Sequence, residues 1–345
     1  MGASGSGQPR LNLGGAGGRR CVKDLSPGES VAGAQYAVRS KRLVEFRNKP
    51  GQYLSLVLGD RTGDIAGRVW DNAEALAERF EEGDLVAVTG RVETYQDQAQ
   101  LIIADLVKCP SDQVRPEDFL PQAERSPDEM LQELVKVCKA VRDSGLRKLL
   151  ASFFADAEFA DKFKTCPGAK MIHHAYIGGL IEHTLNVVKI CDNVCGIYPQ
   201  LDRDLLIAGA LLHDIGKVRE YSYDTSIETT DEGNLIGHIA NGHQMVQEAM
   251  AKIPELSPGV RLQVAHLVVT HHGEPEMGAP KAPMTKEACA LHYAENLDAQ
   301  VNRFLSIMAR ETGRGRNWTE YDRLLKRRLF VGEADADGER PATED

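Results

Sequence analysis

All ten histidines of this 345-residue chain lie between His173 and His292, leaving 172 residues before them and 53 after them without an imidazole. Two of them open the strings His213-Asp214-Ile215-Gly216-Lys217 and His271-His272-Gly273. Imidazole is a borderline nitrogen ligand and carboxylate a hard oxygen ligand, so clustered His and Asp suit a divalent metal ion. Five places carry the pattern. Glu182-His183-Thr184 sits inside a helical apolar run, and His213-Asp214 ends the apolar run 205–212 with Lys217 three residues on. Gly237-His238-Ile239 follows a loop rich in Asp, Glu and Gly, and His271-His272-Gly273-Glu274 closes the run 262–270. Asn296-Leu297-Asp298 lies within a long helical pattern.

Neighbouring residues on a helix diverge by about 100°, so His213 and Asp214 can both reach one ion. His183, His213, Asp214 and Asp298 make a first metal site, and His238, His271 and His272 complete a second, with Asp214 bridging. Two ions close together suit phosphodiester hydrolysis, because they acidify a shared water and offset charge on the transition state. Lys217, at i+3 from Asp214, is placed to meet a phosphate oxygen as a point charge. His173, His174 and Tyr176, ahead of the first ligand helix, are candidate substrate contacts, as is Lys281 in the loop Gly278-Ala-Pro-Lys-Ala-Pro-Met284. His243, His266 and His292 read as structural.

These residues need elements to hold them. Alternation over 53–60, 65–70, 84–92 and 99–106, with a short helical piece at 73–80 and a hairpin at Tyr95-Gln-Asp-Gln98, predicts a five-stranded OB-type β-barrel over residues 21–110. A different small β-sandwich is the competing reading. Residues 111–128 are Pro- and acid-rich and read as a linker, with Ser126 and Pro127 set to start a helix. From 129 to 330 the pattern is helical: 130–156, 176–195, 203–213, 238–251, 258–270 and 285–312, with helical character continuing to Leu329. The expected class is a multidomain α and β chain, a barrel followed by an all-α domain. The Gly-rich leader, residues 1–20, reads as disordered, and 331–345 as an acidic tail.

A net charge of −10 excludes a protein held to nucleic acid by bulk charge. A local strip remains: Arg39, Lys41, Arg42, Arg47 and Lys49 face a single acid, Glu45, with Phe46 and Tyr53 interleaved and Trp70 and Tyr95 on or near later strands. A barrel of this type binds single strands by stacking bases on aromatics beside cations that track the backbone. A solvated charged hairpin over core aromatics is the alternative. Seven cysteines without a C-x-x-C pair suit a reducing cytosol. No apolar run approaches the roughly 20 residues that span a bilayer, so a cytoplasmic protein is expected.

The order His183, His213-Asp214, Asp298 resembles the HD-domain metal-dependent phosphohydrolase superfamily. More narrowly, His173-His-Ala-Tyr-Ile-Gly-Gly-Leu-Ile-Glu-His-Thr184, Ala210-Leu-Leu-His-Asp-Ile-Gly-Lys217, Gly237-His-Ile, Thr270-His-His-Gly-Glu and Leu291-His-Tyr-Ala-Glu-Asn-Leu-Asp-Ala299 resemble the YhaM-type 3′→5′ exoribonucleases. That resemblance implies an OB-fold domain before an HD domain. It implies divalent metal, Mn²⁺ by preference, on His183, His213, Asp214, His238, His271, His272 and Asp298. The implied activity is 3′→5′ exonucleolytic hydrolysis of single-stranded RNA or DNA to nucleoside 5′-monophosphates. Gly179 stands four residues before His183, where related cyclic-dinucleotide hydrolases could carry an extra carboxylate. Glu274-Pro-Glu-Met-Gly-Ala-Pro280 also departs from their Asp-Gly-x-Gly-Tyr-Pro pattern. Hydrolysis of free nucleotides and RNA binding over a vestigial metal site are the rival functions, and a homo-oligomer is an open expectation.

Overall fold

The alternating apolar residues of the N-terminal third need a common interior, and the strands provide one by closing on themselves. The computed structural model describes residues 20–96, 98–110, 112, 114–170, 174–311 and 317–332. Strands β1 (Ser30–Glu45), β2 (Gln52–Asp60), β3 (Gly63–Val69), β4 (Leu85–Tyr95) and β5 (Gln98–Lys108) form a closed barrel in the order β1-β2-β3-β5-β4. Helix α1 (Ala73–Ala77) lies between β3 and β4. β1 closes the barrel by serving two neighbours, pairing with β4 over residues 30–37 and with β2 over 37–45. Its register against β2 shifts between Val38 and Ser40, a bulge that leaves Arg39 as the extra residue. Leu54, Leu56, Leu58, Val86, Val88, Leu101 and Ile103 fill the interior with Leu76 and Phe80. The barrel expected from the sequence is therefore present, and the sandwich reading is set aside.

The chain divides into two compact units, one running to Pro121 and including Tyr223–Ser226, the other comprising Gln122–Ser222 and the residues from Ile227. The second unit is helical: α2 (Pro127–Ala140), α3 (Ser144–Phe154), α4 (Ala157–Thr165), α5 (Gly179–Ile197), α6 (Arg203–Leu212), α7 (Lys217–Glu220), α8 (Asp231–Leu235), α9 (Gly237–Ala251), α10 (Pro258–Thr270) and α11 (Lys286–Glu311). Every residue of α6 from Leu205 to Leu212 is buried. A helix apolar on all sides has to be enclosed, and α3, α5, α10 and α11 pack around it.

Some boundaries differ from the sequence pattern for local reasons. The run 130–156 is two helices, because Val141 is extended and the Asp143 side chain caps α3 by accepting from Leu146 N. Ser126 stands at the N-cap of α2, ahead of Pro127, but its side chain makes no cap bond. Helix α5 starts at Gly179 rather than 176, since Gly178 holds φ at +81°, a left-handed turn that glycine adopts freely. The all-α expectation gains a two-stranded ribbon, β6 (Tyr221–Tyr223) with β7 (Ile227–Thr229). Residues 317–332 are not helical but pair as a narrow hairpin through Trp318 with Phe330 and Asp322 with Arg327. The leader up to residue 19 and the tail from 333 lie outside the described residues, and no helix among those described is long and apolar enough to cross a membrane.

The Gly of His-Asp-Ile-Gly-Lys has a packing reason. A Cβ on Gly216 would strike the His238 carbonyl and lie 2.6 Å from Gly242 N. Backbone cannot swing aside as a side-chain tip can, so Gly216→Ala is expected to cost about 1–3 kcal/mol. Its urea midpoint falls while the slope stays unchanged.

Candidate metal centre

Four imidazoles come together from four helices, each with Nδ1 already committed. His213 and His271, the residues that close α6 and α10, bond the carbonyls of Ala210 and Val268 at 2.8 and 2.7 Å. His183 on α5 meets Asp298 Oδ2 at 2.7 Å, and His238 at the start of α9 meets Glu220 Oε1 at 3.2 Å. Carbonyls and carboxylates accept, so each Nδ1 donates and each Nε2 is turned to the interior. This is the outer bonding that orients metal-ligating histidine.

Asp214 stands where the Nε2 atoms converge and is only 2% exposed. Its Oδ2 is 3.6 Å from His183 Nε2 and 3.3 Å from His213 Nε2. Its Oδ1 is 3.5 Å from both His238 Nε2 and His271 Nε2. His272 joins the second set, the four ligand atoms lying within 4.8 Å of one another. Oδ1 of Asp214 and Nε2 of both His238 and His271 are buried without a hydrogen-bond partner. Buried lone pairs facing one another are costly unless a cation lies among them. The donor set therefore fits divalent metal.

Charge follows from this packing. Burial alone would raise the Asp214 carboxyl, but the Lys217 ammonium and His213 hold it well below the usual range. Burial pushes His183 down to about 3 and His271 to about 4, leaving both neutral and ready to ligate. His213 is raised, because Asp214 beside it outweighs burial. Lys217 is only 6% exposed and its Nζ sits 2.6 Å from Asp214 Oδ2. Without substrate the ammonium is turned to the carboxylate.

Asp298 on α11 stands with His174 and His183 in a further group that could hold a metal ion. Its Oδ2 accepts from His183 Nδ1 and from His174 Nε2 at 2.8 Å, so this oxygen orients a ligand ring. His174 is 1% exposed, with Nδ1 at 2.8 Å from the Tyr176 hydroxyl, which donates to Glu182. His174 and Tyr176 thus link Asp298 to Glu182. His173 lies outside the described residues. Lys281 is exposed and has no bond within the described residues. His292 supports the site by bonding the His271 carbonyl at 2.9 Å, and His266 accepts from Met284 N. Sequence reasoning missed Glu220 and Glu182 as orienting carboxylates. It also missed Glu295, whose carboxyl burial pushes up to about 7 beside Asp214.

On the barrel, Phe46, Tyr53 and Trp70 form one cluster with ring centroids 4.9–6.1 Å apart, Trp70 being 41% exposed. Lys49 Nζ lies 4.0 Å over the Phe46 ring, and Arg42, Arg47 and Lys49 are exposed. Tyr95 is exposed at the end of β4. Arg39 and Lys41 bond within the fold. Arg39 donates to the Phe119 carbonyl at 2.6 Å, and Lys41 Nζ to the carbonyls of Ala77 and Phe80 and to Glu81.

Residues 180–300 match the HD domain family and residues 37–108 the OB-fold nucleic acid binding domain family. A closed five-stranded barrel joined to a helical unit with this His/Asp frame defines a metal-dependent hydrolase of the HD class. The chain is 34% identical over 264 residues to the Bacillus licheniformis protein named 3′-5′ exoribonuclease YhaM, covering 76% of this chain and 82% of that one. Proteins of the same name from Bacillus subtilis and Listeria innocua are 33% identical over 306 residues and 32% over 289. Those two alignments cover 88% and 83% of this chain, and 95% and 90% of the relatives. The chain belongs to the YhaM family of 3′-5′ exoribonucleases.

Two outcomes test this geometry. Asp298→Asn frees His183 to rotate, and metal affinity by calorimetry is expected to fall about 10–100-fold. For acid sensitivity, the lowered His271 takes up a proton on unfolding below its ordinary 6.5 but not while folded until about 4. Its contribution is therefore complete above 6.5 and lost as pH falls toward 4. In metal-free protein, His271→Asn should lessen the acid-side decline of the urea midpoint, and an unaltered decline would rule this linkage out.

Proposed function

We propose that this chain removes nucleotides one at a time from the 3′ end of single-stranded RNA, releasing nucleoside 5′-monophosphates, with two Mn²⁺ ions. The observation that carries the reading is the division of Asp214, one oxygen toward His183 and His213 and the other toward His238 and His271. His183, His213 and Asp214 would hold one ion, and Asp214, His238, His271 and His272 the other. Bound there, the ions supply an acidified water and counter-charge for the phosphoryl group.

The chain's own residues do the rest. Lys217 keeps the bridging carboxylate ionised, Asp298 and Glu220 fix two ligand rings, and the Nδ1 bonds of His213 and His271 fix two more. Burial of the cluster excludes bulk water and strengthens each of these interactions. On the barrel, Phe46, Tyr53 and Trp70 stack bases while Arg42, Arg47 and Lys49 follow the phosphates. The seven cysteines are all free, which supports a reducing compartment such as the cytoplasm. An exposed apolar row on α11, Tyr293, Leu297, Val301 and Leu305, supports self-association.

RNA labelled at its 5′ end should yield a ladder shortening from the 3′ end, while 3′-labelled RNA releases labelled mononucleotide at once, only with Mn²⁺ present. Asp214→Asn should lower the rate at least about a thousandfold, since the ions contribute several kcal/mol and each 1.36 kcal/mol is tenfold. Product from a 5′ end, or equal turnover in chelator, would refute the assignment. Trp70→Ala should weaken RNA binding by about 1–3 kcal/mol.

A further inference from the structure

The chain has two tryptophans, and neither is buried: Trp70 is 41% exposed in the barrel unit and Trp318 is 53% exposed in the helical unit. Large aromatic surface left in water marks a place where something docks. Trp318 belongs to the hairpin 317–332, which the function described above does not use. Its ring packs on Phe330, centroids 5.2 Å apart, and Phe330 is also 53% exposed. Tyr321 and Leu324 on the same hairpin are 55% and 65% exposed.

The hairpin is well tied. Thr319 N donates to the Leu329 carbonyl at 2.9 Å, Val331 N to the Asn317 carbonyl at 2.8 Å, and Asp322 and Arg327 exchange backbone bonds at 3.0 and 3.3 Å. At the tip Asp322 Oδ1 accepts from Leu324 N and Leu325 N, and from Arg303 Nη2 of α11 at 2.7 Å. Arg303 lies five residues beyond Asp298, about 7.5 Å of axial rise. The hairpin is thus fastened to the helix that braces the metal centre.

Its charge is opposite to that of the chain. Arg323, Lys326, Arg327 and Arg328 fall within six residues, in a protein of net charge −10. All four are exposed, and among the described residues none has an ion-pair partner. The hairpin also holds two acids, Glu320 and Asp322, the second already paired with Arg303, so the four cations keep it net positive. An apolar protein partner would account for Trp318 and Phe330 but would leave four cations facing an uncharged surface. A polyanion with stackable rings accounts for both.

We propose that hairpin 317–332 is a second contact for single-stranded nucleic acid, carried by the catalytic unit and separate from the barrel. Trp318 and Phe330 stack bases, and Arg323, Lys326, Arg327 and Arg328 meet consecutive phosphates. The proposal rests on single-stranded RNA being the substrate, and it adds where the catalytic unit grips that strand.

The test uses the full chain, a labelled single-stranded RNA in chelator, and several salt concentrations. Arg323→Glu, Lys326→Glu and Arg328→Glu together should weaken binding by about tenfold or more at low salt. They should also reduce the slope of log affinity against log salt by about two, at roughly 0.7 per phosphate contact. Trp318→Ala with Phe330→Ala should weaken binding with the slope unchanged. Both variants should hydrolyse a small chromogenic phosphodiester with Mn²⁺ at the wild-type rate. Wild-type affinity and slope in the charge-reversed variant would overturn the proposal. Slower hydrolysis of the small phosphodiester would also overturn it, by making the hairpin a support of the helical fold. So would a changed assembly state by light scattering, by making the hairpin a contact between copies. A wild-type chain that hydrolyses the small phosphodiester but binds no single-stranded RNA would remove the substrate reading itself, and the proposal with it.

Discussion

Asp214 is a carboxylate shut away from water whose two oxygens face two different pairs of imidazoles. Such a group cannot stand alone in a low-dielectric interior, and nearly every neighbour answers to it. Lys217 supplies a positive charge at 2.6 Å, and His213 is drawn toward its charged form. Gly216 lacks a side chain so that the turn carrying Asp214 can lie against α9, which brings His238 to the second oxygen. The all-apolar α6 is the rod that carries this turn into the middle of the unit. A domain held together by oily helices is thus organised around one charge.

The barrel solves a different problem, that of presenting charge and rings outward from a closed sheet. β1 does it by being shared between two neighbours and bulged at Arg39. Arg39 and Lys41 are spent on carbonyls of the fold, whereas Arg42, Arg47 and Lys49 stay in solvent, Lys49 over the Phe46 ring of the Phe46, Tyr53 and Trp70 cluster. The five cations look alike in sequence, and three-dimensional pairing sorts them into two trades.

Much of this was legible before the structure. Ligand histidines stood at the ends of apolar runs, and helix ends are where a short string can turn inward, so His213-Asp214 and His271-His272 could be placed by period alone. The barrel followed from alternation and from one helix set between its third and fourth strands. What was not legible came from contacts between distant positions. Glu220 steers His238 from eighteen residues away, and His174 reaches Asp298 from 124 away. No spacing rule announces either partner. The bulge at Arg39 shifts the face of later residues, so period-two counting across it fails. The hairpin 317–332 was misread because Leu324, Leu325, Arg327 and Arg328 also suit a helix; its cap at Asp322 depends on Arg303 from another element.

His213 and His271 each close a helix and return an Nδ1 proton to the carbonyl three residues back. Carbonyls in a last turn have no helical partner, so this one bond both finishes the helix and aims the ring. Fraying of the end of α6 or α10 and loss of a ligand are then a single event. Anything gripping both imidazoles would stiffen two helix ends at once. Slower hydrogen exchange at those last-turn amides would carry the state of the centre into the body of the helical unit.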